Sequence, residues 1–351
     1  MELKGKKWTI ILSPLLALAF GLIVGAIFLI FTKKNPFQVY QLILQGSLGS
    51  KYFISETLIK ATPLILAGLG LAIGFKGGLF NIGAEGQLLM GAFIAALVGF
   101  KVSSLPPLFH ITLALGAACL GGALWAALAG WLKAKRGVHE VISTIMLNYI
   151  AIYITNYLVR GPFKSGYLPK TPLILSSAKL PLLLPNTRLS IGIVLALTLA
   201  YLMYRLLEQT VFGYELKAVG FNSQAAEYAG INQIRMIILT MGLSGALAGL
   251  AGGVEILGLH YRFYGQFSPG YGFDSIAVAL LGKNNPLGVV FAALLFAAMR
   301  TGAMYMQRVM QVSTDIVLIL QAAIIFFIAI DFSFKLWTGR RRKTWCLYQR
   351  S

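Results

Sequence analysis

Long apolar runs alternate with short polar breaks along the chain, and the runs predict its elements. A helix that crosses a bilayer needs about 20 mainly apolar residues. On that measure ten runs stand out, near residues 9–31, 57–75, 84–100, 109–131, 141–159, 189–207, 234–254, 273–282, 286–304 and 314–332. The first, fourth, seventh and tenth are the clearest. The eighth is too short to cross as a straight helix, which predicts a broken or re-entrant element. The expected fold is therefore all-α: a polytopic transmembrane helical bundle of about ten spans over residues 9–332, followed by a basic tail over 333–351.

Two patterns inside the runs refine this picture. Gly245, Gly249 and Gly253 recur every four residues, flanked by Ser244, Ala248 and Gly252. In lipid, helices associate by close packing rather than by expulsion of water, so this small-residue face predicts a tight helix–helix contact. Gly-rich breaks lie at residues 74–86, after the second run, and at 269–274, before the eighth. Broken helices at matching points are expected where a transporter is built from inverted repeats.

Composition agrees with a lipid environment. Of 351 residues, 58% are hydrophobic and 12% charged, against about 25% charged in soluble chains. A net charge of +19 in a soluble protein would suggest a nucleic-acid partner. Here the basic residues fall between apolar runs and in the tail, so they point to lipid headgroups and orientation, with no nucleic acid. Ten spans place both termini on one side of a cell membrane. That side holds Lys4, Lys6, Lys7, Lys133, Lys135, Arg136, Arg205, Lys217, Arg235 and Arg340, Arg341, Arg342 and Lys343, and is expected to be cytoplasmic. The other side holds Lys101 and Arg262, together with a Pro-rich basic stretch at 160–188 that runs against the rule. The first run is long enough to span and predicts an uncleaved helix rather than a signal peptide. Cys119 and Cys346 predict no disulfide.

No catalytic constellation is present in the sequence. His110, His139 and His260 are scattered, and no metal-ligand spacing, nucleophile elbow or phosphate-binding loop accompanies them. The chain is expected to be no enzyme, with no catalytic residue, metal or cofactor; any ATP would be handled by a separate subunit. Glu56, Glu85, Glu255 and Asp274 lie near expected helix ends and read as interfacial caps or packing anchors. Ion-coupled carriers use deep carboxylates, so their placement weighs against that class, which stays open as an alternative. The polar segment 213–231 differs from an ordinary loop. Asn222 or Ser223 can cap a short helix over 224–229 that Gly230 ends, exposing Ala225, Ala226 and Ala229 to a partner's groove.

Residues 213–231 resemble the coupling-helix loop of ABC importer permeases. Residues 78–91, G-L-F-N-I-G-A-E-G-Q-L-L-M-G, resemble the permeases grouped with branched-chain amino acid and simple-sugar importers. Within that group they look most like the nucleoside-type permeases that act with an extracytoplasmic lipoprotein, and residues 56–63 fit the same pattern. The resemblance covers about residues 10–332; the tail matches nothing in it. It implies an ATP-driven importer permease, carrying nucleosides, or simple sugars or branched-chain amino acids as the alternative. It also implies an ABC ATPase subunit, a second permease subunit forming a heterodimer, and a substrate-binding lipoprotein. Gly213, Glu215, Ala218, Gly220, Asn222, Ala225, Ala226, Ala229 and Gly230 would couple to the ATPase. Asn81, Glu85 and Asn148 would line the path of a small-molecule substrate.

Overall fold

The computed structural model describes residues 19–31, 33–311, 313–319, 321–323 and 326. The chain divides into two compact units, residues 51–297 and residues 1–50 with 298–351. Among the described residues the regular structure is helical, relieved by isolated bridges at Lys170–Tyr264 and Leu182–Ser190.

In the smaller unit, α1 (Ala19–Phe31) is followed by α2 (Pro36–Leu48). The Tyr40 hydroxyl donates to the Leu22 carbonyl at 2.6 Å. Sequence reading placed nothing between residues 31 and 57. The local signals for α2 were present: Asn35 accepts from the Phe37 N–H, and Pro36 sits in the first turn, where its missing N–H is harmless.

The larger unit contains α3 (Lys51–Lys76), α4 (Ala84–Lys101), α5 (Pro107–Arg136), α6 (Glu140–Arg160), α7 (Gly192–Gln209), α8 (Val211–Phe221), α9 (Ser223–Tyr228), α10 (Gln233–Glu255) and α11 (Tyr271–Leu281). A π-helical turn, Ile256–His260, extends α10, and α12 (Pro286–Met310) begins in this unit and ends in the smaller one. Seven of these helices are long and apolar enough to cross a membrane: α3 to α7, α10 with its π turn, and α12. They match seven of the ten expected runs. The eighth run is α11, with 11 residues; at 1.5 Å per residue it extends about 16 Å, half a bilayer core. The first and tenth runs lie partly outside the described residues, and the basic tail wholly so.

The small-residue face of α10 lies where the spacing placed it. A Cβ on Gly249 would collide with the Ala118 carbonyl of α5, and one on Gly245 with Gly122 and Ala126 of the same helix. Gly252, on another face of α10, abuts Leu88 and Ala92 of α4. Backbone-to-backbone contact on two sides makes α10 the central element of this unit.

The Pro-rich segment 161–191 is ordered. Thr171 N–H donates to the Phe263 carbonyl at 2.8 Å, Ile174 N–H to Tyr261 at 2.9 Å and Leu180 N–H to Leu257 at 2.9 Å. These bonds tie it to the π turn and the chain beyond, satisfying backbone groups that no helix serves.

Candidate functional site

The site grows from the break between α3 and α4. Gly78 takes φ +71°, a left-handed conformation natural to glycine, and the chain turns back into the bundle. Helix α4 thus starts among packed helices, where its first N–H groups have no water to meet. Two asparagines meet them instead. Asn81 Oδ1 accepts from Gly83 N–H at 3.0 Å, and Asn148 Oδ1 accepts from Gly86 N–H at 2.8 Å. Each amide is also bonded on its other end. Asn81 Nδ2 donates to Gln87 Oε1 and Ser244 Oγ, both at 2.9 Å, and Asn148 Nδ2 donates to the Ile82 carbonyl at 2.8 Å.

Glu85, in the first turn of α4, accepts from the Gly272 N–H at 2.7 Å through Oε2. Gly272 lies in the first turn of α11, and a Cβ there would collide with the Glu85 backbone. The two Gly-rich breaks noted in the sequence therefore meet directly. Glu85 is 5% exposed, and its carboxylate sits at the positive ends of two helices, where negative charge is favoured.

Beside this junction is a cavity of about 150 Å³ lined by Glu85, Leu89, Ile152, Thr155, Asn156, Gln266 and Ser268. Of the three path residues expected from sequence, Glu85 reaches it. Asn81 and Asn148 are capping groups for the α4 start.

The other carboxylates are also placed. Glu56 takes a bidentate bond from Arg188 Nη2, at 2.9 and 2.8 Å, which holds the guanidinium above its ordinary range. Glu255, 3% exposed, faces His260 Nε2 at 3.2 Å, and His260 Nδ1 lies 3.3 Å from the Tyr264 hydroxyl. Burial, then the Glu255 charge, raises the Tyr264 phenol. Glu85 and Glu255 lie at helix ends, as the sequence predicts, but those ends are buried within the bundle. A sequence position near a helix end does not by itself say whether the end faces solvent or other helices.

Residues 213–231 form most of two helices. Thr210 Oγ1 accepts from Gly213 N–H at 3.1 Å to start α8, and Asn222 Oδ1 accepts from Ala225 N–H at 3.0 Å to start α9. Gly230 follows at φ +83°. Gly213 is buried, while Glu215, Ala218 and Gly220 are half-buried. The Gly220 backbone abuts Lys76, Gly77 and Gly78 at the start of the α3–α4 break. Glu208 at the end of α7 links the same region, 2.9 Å from Lys76 Nζ and 3.2 Å from Lys217 Nζ. Ala225 and Ala229 are exposed as expected, but Ala226 is 5% exposed and faces inward. Phe221 and Tyr228, at 90% and 95% exposure, are the groups that protrude.

Residues 53–329 match the family model described as branched-chain amino acid transport system / permease component. The chain belongs to this permease family. It is 41% identical to the guanosine ABC transporter permease protein NupP of Bacillus subtilis, over 96% of this chain and 98% of that protein. It is 39% identical to the nucleoside ABC transporter permease protein NupB of Lactococcus lactis, over 92% and 91%. It is 36% identical to the glucose ABC transporter permease protein TsgB13 of Haloferax volcanii, over 93% and 89%. No solved structure matches the chain.

For a permease-family chain, the residues that sequence reasoning missed are informative. Gln266 and Ser268 lie in irregular backbone far from the 78–91 motif. Asn156 sits on α6 next to Thr155, at the edge of the buried polar face that Glu140, Thr144, Asn148 and Thr155 form at helical spacing, and that spacing was the signal that could have found it. Their shared cavity is a product of tertiary packing. Among the described residues no group of His, Cys, Asp and Glu could hold a metal ion.

Proposed function

We propose that this chain is the permease subunit of an ABC importer for nucleosides. One observation carries the reading: near full-length identity to permeases whose names specify guanosine and nucleosides. The junction of α4 and α11 supports it, because two helix starts that meet inside the bundle beside a polar cavity, one of them on a helix too short to cross, fit the broken-helix sites of transporters. Asn148 is eight residues into α6, about 12 Å from its start, so the α4 start lies well inside the bundle.

In this reading the chain spans the membrane about ten times, with both termini cytoplasmic. The basic last turn of α5, Lys133, Lys135 and Arg136, supports that orientation. An ABC ATPase docks on α8 and α9. Gly220 then carries its motion to Gly78, and from there to the α4 start and Glu85. A second permease subunit covers the face of α6 that carries Tyr149, Tyr153 and Tyr157, all exposed; a phenol near the middle of a span is costly against lipid. An extracytoplasmic lipoprotein delivers substrate, and alternating access follows the partner's ATP cycle.

The test is uptake of labelled guanosine and uridine by cells expressing the complete set of subunits. Saturable uptake of both, abolished when the ATPase is inactivated, is expected. The glucose permease relative makes a sugar the second reading. Uptake of glucose with no nucleoside uptake or competition would establish that reading instead. Transport that persists without an ATPase and collapses with the proton gradient would replace both with an ion-coupled carrier.

A further inference from the structure

We propose that the cavity beside the α4–α11 junction binds the base of the imported nucleoside, with the amides of Asn156 and Gln266 reading its edge. The inference rests on the nucleoside reading and gives that reading a place.

Size comes first. A cavity of about 150 Å³ is the size that accepts one six-membered ring, and is below the roughly 300 Å³ at which pockets enclose a whole drug-sized ligand. It therefore takes the six-membered ring that carries a base's hydrogen-bonding edge and leaves the rest of the nucleoside in the open path. The lining favours a base over a sugar. Leu89 and Ile152 offer apolar surface to a flat ring, while Thr155, Asn156, Gln266 and Ser268 offer neutral hydrogen-bonding groups and Glu85 a carboxylate around it. An amide presents a donor and an acceptor side by side, which is the pattern of a base edge. Ribose offers hydroxyls and no flat face.

The state of these groups is the second line. Asn81 and Asn148 are each bonded through both ends of their amides at the α4 start. Thr155 Oγ1 donates to the Ala151 carbonyl at 2.7 Å and Ser268 Oγ accepts from Gly270 N–H at 3.3 Å, so each keeps capacity to accept. Asn156 is half-buried yet makes no side-chain hydrogen bond to the described residues, and Gln266, exposed at the cavity mouth, makes none to them either.

The test compares guanosine with uridine in the complete transporter, since the two share a ribose and differ in the base. Asn156→Asp and Gln266→Glu keep shape but turn an amide into an acceptor-only carboxylate. Guanine offers adjacent N–H donors to such a group, whereas the uracil edge sets a single donor between acceptors. Each variant is expected to raise the guanosine-to-uridine uptake ratio about fivefold or more, about one hydrogen bond's worth. Co-purification with the partner subunits is measured alongside. If Asn156→Asp fails to assemble, Gln266→Glu, in irregular backbone outside the helices, decides. Assembled variants that keep the wild-type ratio, including those that lower both substrates in parallel, overturn the base-binding cavity while leaving nucleoside import intact. A wild-type transporter that imports neither nucleoside overturns both.

Discussion

The carboxylate of Glu85 accepts the backbone N–H of Gly272 at 2.7 Å, across 187 residues of chain. This bond joins the first turn of α4 to the first turn of α11. Glu85→Ala removes the acceptor and leaves that N–H buried without a partner, a loss of about 1–3 kcal/mol. Glu85→Gln keeps an acceptor and is expected to lose less. Thermal unfolding of the purified transporter in detergent ranks the two; equal stability of Glu85→Ala and wild type would show that the bond holds nothing together.

Gly249→Leu is expected to reduce yield and stability sharply. Its Cβ alone meets the Ala118 carbonyl, and Gly122 Cα lies 2.9 Å away. Helix α5 has to move outward to admit a side chain, and over-packing of this kind costs about 1–3 kcal/mol or more. Membrane yield and size-exclusion profile are the readouts, and a normal amount of monodisperse protein would contradict the packing argument.

Gly220→Val is expected to uncouple ATP hydrolysis from transport. The new side chain would displace α8 from the turn at Gly77 and Gly78, through which we propose motion reaches the α4 start. ATPase activity should persist in the assembled complex but lose its response to substrate, with uptake falling at least about tenfold, or 1.4 kcal/mol. Substrate-stimulated ATPase at the wild-type level would place the coupling route elsewhere.

Phe221→Ala and Tyr228→Ala, singly and together, should weaken co-purification with the ATPase. These rings protrude from α8 and α9, and aromatic anchors dominate most interfaces. Ala226→Arg tests a different property. Because Ala226 faces inward, a charge there should unseat α9 itself, so protease sensitivity of this segment should rise along with any loss of docking.

A single cysteine placed at the C-terminus, in a chain whose native cysteines are replaced, should be protected from membrane-impermeant maleimide in intact cells. Labelling before permeabilisation would put the tail outside and overturn the proposed arrangement of about ten spans.

The apolar runs alone identified the membrane class and located the seven long helices, because burying a span in lipid demands an uninterrupted stretch of residues that shows in one dimension. The Gly245, Gly249 and Gly253 spacing announced a close contact for a similar reason, since helical period is a local property. Capping by Asn222 and Gly230 was legible too. The identity of what each face meets was not. That Asn81 and Asn148 cap α4, that Ala226 points inward, and that Glu85 reaches Gly272 depend on distances set by folding of distant segments. The cavity brings Glu85, Asn156 and Gln266 together from α4, α6 and an irregular stretch, and no sequence interval encodes that meeting. Local periodicity governs which residues become helical; only the packing of those helices against one another decides which of their polar groups are consumed within the fold and which are left to face a ligand.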